Sequence, residues 1–234
     1  MARILLPRRL APRRTTVIAA TLLAIAVILG GVLLAGNRTP PFQALDDAWN
    51  GFAVTLHTPF WNNVNLFLNW IGYTGMWIFH LLLAWALLIR RRLRSAAFSA
   101  VAGLTVMLLT HLLKWIIERP RPANANVATD TYSYPSGHVS ATTAFVLVLA
   151  LLIGRVWAWL LAIGSMLAMM VSRMYLAAHW LTDVVGGACL ASGVVLLLWL
   201  GFQNICIQEN TDAHRAVSWK LSVASRKRHA GQRV

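Results

Sequence analysis

Six apolar runs, each long enough to cross a lipid bilayer, constrain this chain more than any other feature of its sequence. The runs cover residues 17–35, 66–89, 96–117, 135–154, 156–172 and 183–202. A helix of about 17 to 25 residues crosses the hydrocarbon core of a bilayer. Such a helix satisfies its backbone hydrogen bonds internally, as hydrocarbon requires. The sequence therefore predicts an all-α integral membrane protein with six transmembrane helices.

The composition agrees with this class. Of the 234 residues, 58% are hydrophobic and only 12% are charged, which excludes an ordinary soluble domain. The formal net charge of +14 would suit a nucleic-acid partner, but the positive residues lie mainly in short clusters between the apolar runs, so we predict no nucleic-acid binding. Cys189 and Cys206 fit neither a disulfide framework nor the spacing of metal ligands.

The distribution of positive charge predicts the orientation. Most of the 21 Lys and Arg residues lie in the N-terminal segment, the loop after the second run, Arg155 and the C-terminal tail. Six crossings place these segments on one side, and the positive-inside rule makes that side cytoplasmic, with both termini. The segments that carry Lys114, His138 and His179 then lie outside. We expect a multi-pass protein of the cell membrane, most simply a bacterial inner membrane.

The chain divides into a basic cytoplasmic N-terminus (1–16), a six-span membrane domain (17–203) and a basic cytoplasmic tail (204–234). The tail is polar, and we predict it to be disordered. The first run follows five arginines, as in a signal peptide, but it is long enough to span. We expect a retained anchor, and cleavage after Ala35 is the alternative.

Residues 36–65 form an extracytoplasmic segment in this arrangement. Apolar side chains recur there at three- and four-residue spacing: Phe42, Leu45, Trp49 and Phe52. This spacing predicts an amphipathic helix that lies at the membrane interface. Asp46 and Asp47 are expected on its solvated face.

Two polar stretches have features of an anion site. Lys114 and Arg121 flank the end of the third run, where prolines stop the helix. The fourth run begins with Ser136, Gly137 and His138 after a proline, which is typical of a helix start. The free N–H groups and the positive dipole end of a helix start bind anions, and glycine lets the backbone approach closely. A phosphate group could lie between these two stretches.

A third stretch, residues 172–183, contains Arg173, His179 and Asp183. If it is helical, His179 and Asp183 lie on one face within hydrogen-bond reach. A carboxylate that accepts one ring N–H leaves the other ring nitrogen with a lone pair. By itself, the stretch is as compatible with a purely structural role, in which a juxtamembrane Arg–Asp pair accompanies an interfacial histidine, as it is with a functional site.

Together the three stretches predict phosphoryl-transfer chemistry. Lys114, Arg121 and Arg173 would neutralise phosphate oxygens. His179, held by Asp183, would attack phosphorus and form a phosphohistidine, and His138 would protonate the leaving oxygen. No metal ion is expected, because one carboxylate is too few for the Mg²⁺ or two-metal sites of other phosphatases.

The three stretches, in this order and spacing, resemble the signature of the type 2 phosphatidic acid phosphatase superfamily. The matching residues are Lys114 and Arg121-Pro122, then Pro135-Ser136-Gly137-His138, then Ser172-Arg173, His179 and Asp183. That superfamily includes the vanadium haloperoxidases and bacterial phosphatidylglycerophosphate and undecaprenyl diphosphate phosphatases. The resemblance implies the haloperoxidase-like helical core and no cofactor.

The resemblance also implies the role of each residue. Phosphate would be bound by Lys114, Arg121 and Arg173 together with Ser136 and Gly137. His138 would be the acid, His179 the nucleophile and Asp183 its partner.

The expected function is that of a lipid phosphatase at the extracytoplasmic face. Its substrate would be a phosphate monoester or diphosphate of a membrane lipid, such as phosphatidylglycerophosphate, phosphatidate or undecaprenyl diphosphate. Alternatives are a lipid phosphotransferase that uses the same phosphohistidine, and a non-catalytic lipid-binding or transport protein. The sequence does not indicate an oligomeric state.

Overall fold

The computed structural model describes residues 7–36, 40–128 and 132–231, and every regular element in these ranges is a helix. The helices are α1 (Pro12–Ala35), α2 (Gln43–Thr55), α3 (Pro59–Trp70), α4 (Met76–Ile89), α5 (Leu93–Ile117), α6 (Gly137–Ile153), α7 (Val156–Tyr175) and α8 (Leu181–Gly231). A π-helical turn, Ile71–Gly75, joins α3 to α4 without a break. The all-α prediction is confirmed for these ranges.

Four helices in the described part of the chain are long and apolar enough to cross a membrane. They are α1, α5, α7 and the segment Leu181–Asp212 of α8. The apolar segments Ile78–Ile89 and Gly137–Ile153 are shorter. The 17 residues of α6 span about 26 Å at 1.5 Å per residue, slightly less than a typical hydrocarbon core. The count of six spans therefore stays a prediction.

Helix α8 is the central element of the bundle. It packs against α1, α5, α6 and α7, and its Val195 and Trp199 lie in the main core with Phe98 of α5 and Val148 of α6. A Cβ atom at Gly187 would lie 2.8 Å from the carbonyl oxygen of Ser136. Glycine is therefore needed where α8 crosses the start of α6, and this contact brings two of the polar stretches together.

The structure differs from the expected disordered tail, because α8 continues through residues 204–231. The first part of this extension is tied to the start of α5. Glu209 accepts hydrogen bonds from the main-chain N–H groups of Arg94 and Ser95 at 2.7 and 3.1 Å, and Asn210 accepts one from Arg92 at 2.8 Å. Because α5 has no side-chain cap of its own, Glu209 satisfies two of its unpaired N–H groups. This cap comes from a distant part of the chain, so composition alone does not reveal it.

Helix α2 lies where the sequence predicts an amphipathic helix, but its polar face is oriented differently. Leu45, Trp49 and Phe52 are exposed, and so is Asp47, whereas Asp46 is fully buried. The expectation of a solvated Asp46 is therefore wrong. Its carboxylate turns into the protein and forms an ion pair with Arg119.

Candidate active site

The three polar stretches meet at one end of the bundle, as the sequence predicts. The end of α5, the start of α6 and the turn between α7 and α8 surround a cavity of about 370 Å³. Its wall includes five of the eight candidate residues: Lys114, Arg121, Gly137, His138 and His179. Ser136, Arg173 and Asp183 are buried beside it. From this polar end the cavity continues between α4, α5 and α6.

The third stretch is not helical throughout, which corrects the predicted geometry. Helix α7 ends at Tyr175 and α8 begins at Leu181. Ala177 adopts a left-handed conformation with φ of 48°, and the N–H of Ala178 donates to the carbonyl of Arg173 at 3.1 Å. This bonding pattern terminates a helix. His179 therefore lies in a turn, and Asp183 lies in the first turn of α8.

The imidazole of His179 lies between the carboxylate of Asp183 and the guanidinium of Arg121. Its Nδ1 lies 3.5 Å from Oδ2 of Asp183, which is longer than a normal hydrogen bond. Its Nε2 lies 3.1 Å from Nη1 of Arg121 and accepts that N–H. Burial lowers the pKa of His179 well below its usual value, and the positive charges of Arg121, Lys114 and Arg173 lower it further. The imidazole is therefore neutral and carries a lone pair on Nε2.

Asp183 is fixed by both of its carboxylate oxygens. Oδ2 accepts the main-chain N–H of Trp180 at 3.0 Å, a contact that caps the start of α8. Oδ1 accepts a hydrogen bond from Nη1 of Arg119 at 2.7 Å. The main-chain carbonyl of Asp183 also accepts the N–H of Ser136 at 3.1 Å. Asp183 therefore links the start of α6 to the turn that carries His179.

The three cations of the predicted phosphate site are held in different ways. Lys114 donates to the carbonyl of Tyr132, and Arg121 donates to the carbonyl of Ala178 at 2.6 Å. Arg173 is 1% exposed and donates from Nη1 to Oδ1 of Asn69 at 2.7 Å. Its Nε and Nη2 are buried and have no hydrogen-bond partner within the described part of the chain. Buried unpaired donors are costly, and an anion at this end of the bundle would satisfy them.

The start of α6 contributes the remaining candidates. Ser136 precedes α6 as its N-cap residue, and its buried Oγ likewise has no hydrogen-bond partner among the described residues. A Cβ atom at Gly137 would lie 3.9 Å from Cε of Lys114, so a larger residue would narrow the space between α6 and the lysine. The ring of His138 donates a hydrogen bond to the main-chain carbonyl of Asn69.

Sequence reasoning missed the residues that hold these groups. Arg119 is fully buried and lies between Asp46 and Asp183, and Asn69 contacts both Arg173 and His138. One feature of the sequence could have pointed to Arg119: the chain has only seven Asp and Glu residues, so few carboxylates are available to pair with its arginines. An arginine at a membrane boundary needs one of them as a partner. Nothing in the sequence around Asn69 indicates its role.

Comparison with known proteins places the chain in a family. Residues 95–206 match the model of the PAP2 superfamily, the type 2 phosphatidic acid phosphatases. The undecaprenyl-diphosphatase of Sulfolobus acidocaldarius is 30% identical over 155 residues, which are 63% of this chain and 70% of that protein. Phosphatidylglycerophosphatase B of Bacillus subtilis is 29% identical over 167 residues, 67% of this chain and 82% of that protein.

Two crystal structures share the fold. The transmembrane PAP2-type phosphatidylglycerolphosphate phosphatase of Bacillus subtilis superposes with a TM-score of 0.68 at 24% identity, covering 77% of this chain and 93% of that one. LpxE of Aquifex aeolicus superposes with a TM-score of 0.52 at 20% identity, covering 63% and 92%. The resemblance therefore extends beyond the three signature stretches to most of the chain, which belongs to the PAP2 superfamily.

Proposed function

We propose that this protein hydrolyses a phosphate monoester or diphosphate of a membrane lipid through a phosphohistidine on His179. The observation that carries the proposal is the position of a neutral, buried imidazole among three cations. Its Nε2 accepts a hydrogen bond from Arg121, and Arg173 has two buried donors without a hydrogen-bond partner in the described residues. A nucleophile that faces phosphate-binding groups is what phosphoryl transfer requires.

The first half of the reaction transfers the phosphoryl group to His179. Substrate phosphate draws Arg121 from Nε2 of His179 to a phosphate oxygen, and this frees the lone pair. Nε2 attacks phosphorus, the P–N bond forms and the P–O bond to the leaving group breaks. His138 gives its proton to the departing oxygen. Lys114, Arg121 and Arg173 neutralise the charge that develops on the other oxygens.

The second half releases phosphate. Neutral His138 takes a proton from water as the water oxygen attacks phosphorus, and the P–N bond breaks. Inorganic phosphate leaves, and both histidines return to their starting states. Because the site is rich in cations and Asp183 already pairs with Arg119 and His179, we propose that the reaction needs no metal ion.

The apolar part of the cavity would hold the lipid chain. Its wall beyond the phosphate site consists largely of small and apolar side chains, among them Leu81, Ala84, Ala100, Leu104 and Ala144. A site of this shape selects a phosphate and one apolar chain, so the substrate class includes phosphatidylglycerophosphate, phosphatidate and undecaprenyl diphosphate. The two relatives named for the first and third of these support that range.

We propose six crossings with both termini in the cytoplasm and the site outside. The crossings would be α1, residues 66–89 of the continuous helix formed by α3, the π-helical turn and α4, then α5, α6, α7 and the apolar first part of α8. The arginine-rich loop after α4 and the basic tail then lie on the cytoplasmic side. Vanadate kept outside sealed vesicles should inhibit right-side-out vesicles and not inverted ones; the reverse pattern would contradict this orientation.

The test of function is phosphate release by the purified protein in detergent, with EDTA, from a panel of lipid monophosphates and diphosphates. Release that persists in EDTA and disappears in His179→Ala is the expected result. Loss of release in EDTA with recovery on adding Mg²⁺ would contradict metal independence. No release of inorganic phosphate, but transfer of the phosphoryl group to a lipid alcohol when one is supplied, would indicate a phosphotransferase. No release or transfer from a folded protein would indicate a non-catalytic role.

A further inference from the structure

A buried cluster of charges lies behind the proposed nucleophile. Nη1 of Arg119 lies 2.7 Å from Oδ1 of Asp183, and its Nη2 lies 2.6 Å from Oδ2 of Asp46. All three side chains are at most 1% exposed. One guanidinium therefore bridges two carboxylates, one from α2 and one from α8.

Asp46 also holds the start of α8. Its Oδ1 accepts the main-chain N–H of Thr182 at 3.0 Å, and its Oδ2 accepts the hydroxyl of Thr182 at 2.7 Å. The same hydroxyl accepts a hydrogen bond from Nη1 of Arg119 at 2.7 Å. Asp46 thus fixes both the arginine fork and the helix turn to which Asp183 belongs.

This arrangement is poorly explained as a device for stability alone. Taking three charges out of water is expensive, and apolar side chains of similar volume often stabilise a core as well or better. What the cluster does provide is orientation. With Oδ1 of Asp183 held by Arg119 and Oδ2 held by the N–H of Trp180, the carboxylate cannot rotate away from Nδ1 of His179.

We propose that Asp46 and Arg119 are positioning residues that aim Asp183 at His179 during phosphoryl transfer. The inference rests on the proposed function and deepens it. Neither residue lines the cavity, so neither touches substrate, and both act through Asp183. The interfacial helix α2 therefore belongs to the machinery of the site.

Asp46→Asn is the main test, because it preserves size but places an NH₂ or an uncharged oxygen against Arg119. Misplacement of a catalytic group by about 1 Å can cost on the order of 10²-fold in rate. We expect kcat to fall by about tenfold to 10²-fold, with KM and inhibition by inorganic phosphate unchanged. Arg119→Lys keeps the positive charge, but its single amine cannot replace the planar guanidinium that contacts both carboxylates. We therefore expect kcat of this variant to stay below the wild-type value.

The matched control is Asp47→Asn, which makes the same charge change at the next residue of α2. Asp47 is exposed and accepts one hydrogen bond from Gln43 at 2.9 Å, and Asn can still accept it. We expect wild-type kcat from this variant.

A double-mutant cycle separates positioning from general support of the fold. If Asp46 acts through Asp183, then Asp46→Asn should change kcat by less than about twofold in an Asp183→Asn background. Radiolabelled phosphate release from the folded fraction of each variant detects the slow turnover involved. A merely structural residue would cost the same factor in both backgrounds.

Three results would overturn the inference while leaving the proposed function intact. They are equal kcat for Asp46→Asn and Asp47→Asn, an effect confined to KM, and additive losses in the cycle. Failure of both Asp46→Asn and Arg119→Lys to fold would overturn it as well, because a positioning role requires that the bundle form without them. A wild type with no phosphatase activity would instead remove the proposed function itself.

Discussion

At the scale of single residues, Asn69 connects two groups with different proposed tasks. Its side-chain oxygen accepts a hydrogen bond from Arg173 at 2.7 Å, and its main-chain carbonyl accepts one from the ring of His138. The π-helical turn that begins two residues later changes the local bonding register, a feature frequent at functional sites. Gly72 in that turn lies so close to His138 that a Cβ atom there would be 2.8 Å from the ring. The proposed general acid, His138, and one proposed phosphate ligand, Arg173, are thus both held by the same short segment.

The two contacts of Asn69 can be separated by mutation. Asn69→Ala removes the hydrogen bond to Arg173 and leaves the carbonyl that holds His138. We expect KM and the inhibition constant of inorganic phosphate to rise by about tenfold, the effect of one charge-assisted hydrogen bond, while kcat changes little. Steady-state kinetics on one lipid phosphate measure both constants. Asn63→Ala, at an exposed position of α3, is the control, and a fall confined to kcat in Asn69→Ala would contradict the assignment.

The lowered pKa of His179 predicts a pH dependence of stability. The folded protein keeps this imidazole neutral well below pH 6.5, whereas the unfolded chain protonates it near that value. Between the two pKa values the unfolded state binds more protons, so stability falls as the pH falls. Thermal unfolding in detergent should show a larger acid-induced decrease in Tm for the wild type than for His179→Gln, and equal decreases would contradict the assignment.

At the scale of elements, the sequence predicts which candidate functional side chains lie at each helix end. It predicts less well which contacts hold the helices to one another. The meeting of Lys114, His138 and His179 follows from motif spacing and from alternation of the spans. The buried position of Asp46 does not, because its partner Arg119 lies 73 residues away. Periodicity predicts that α2 is amphipathic, but it does not predict that Asp46 is buried while Leu45, Trp49 and Phe52 are exposed. A helix on the surface of a soluble protein instead buries its apolar side chains.

The contact between α8 and α5 predicts that loss of Glu209 lowers the stability of the fold without affecting substrate binding. Glu209→Ala removes its bonds to the first turn of α5, including the one from the Ser95 hydroxyl at 2.7 Å. We expect a loss of about 1 to 2 kcal/mol, as for other helix caps, seen as a lower Tm in detergent. KM should not change, because Lys114 lies at the opposite end of α5. Asn204→Ala, exposed on the same helix, should leave Tm unchanged, and a rise in KM for Glu209→Ala would contradict this separation.

At the scale of the whole molecule, polar and apolar surfaces are arranged for a bilayer. The large side chains exposed on α7 are apolar, as Leu160, Leu161 and Val171 illustrate, while the charged cluster is buried at one end. Family membership could be predicted from the sequence, because it depends on motifs; the same motifs indicate the candidate phosphate-binding cations. The cavity could not, because its walls come from three helices whose small residues, such as Ala100 and Ala141, carry no local signal of facing one another.

Filling the apolar end of the cavity should separate lipid binding from chemistry. Ala100 lies on the cavity wall, fourteen residues before Lys114 and therefore about 21 Å from it along α5. Ala100→Trp would occupy the space proposed for the distal chain and should raise KM for a long-chain lipid phosphate by about tenfold. A water-soluble phosphate ester with a short chain does not reach this depth, so its kcat/KM should be unchanged. Ala97→Trp, exposed on the same helix and not on the cavity wall, should affect neither substrate. An equal loss with both substrates would mean that the tryptophan disturbs the catalytic end, and an unchanged KM for the long-chain lipid would mean that the chain leaves the site by another route.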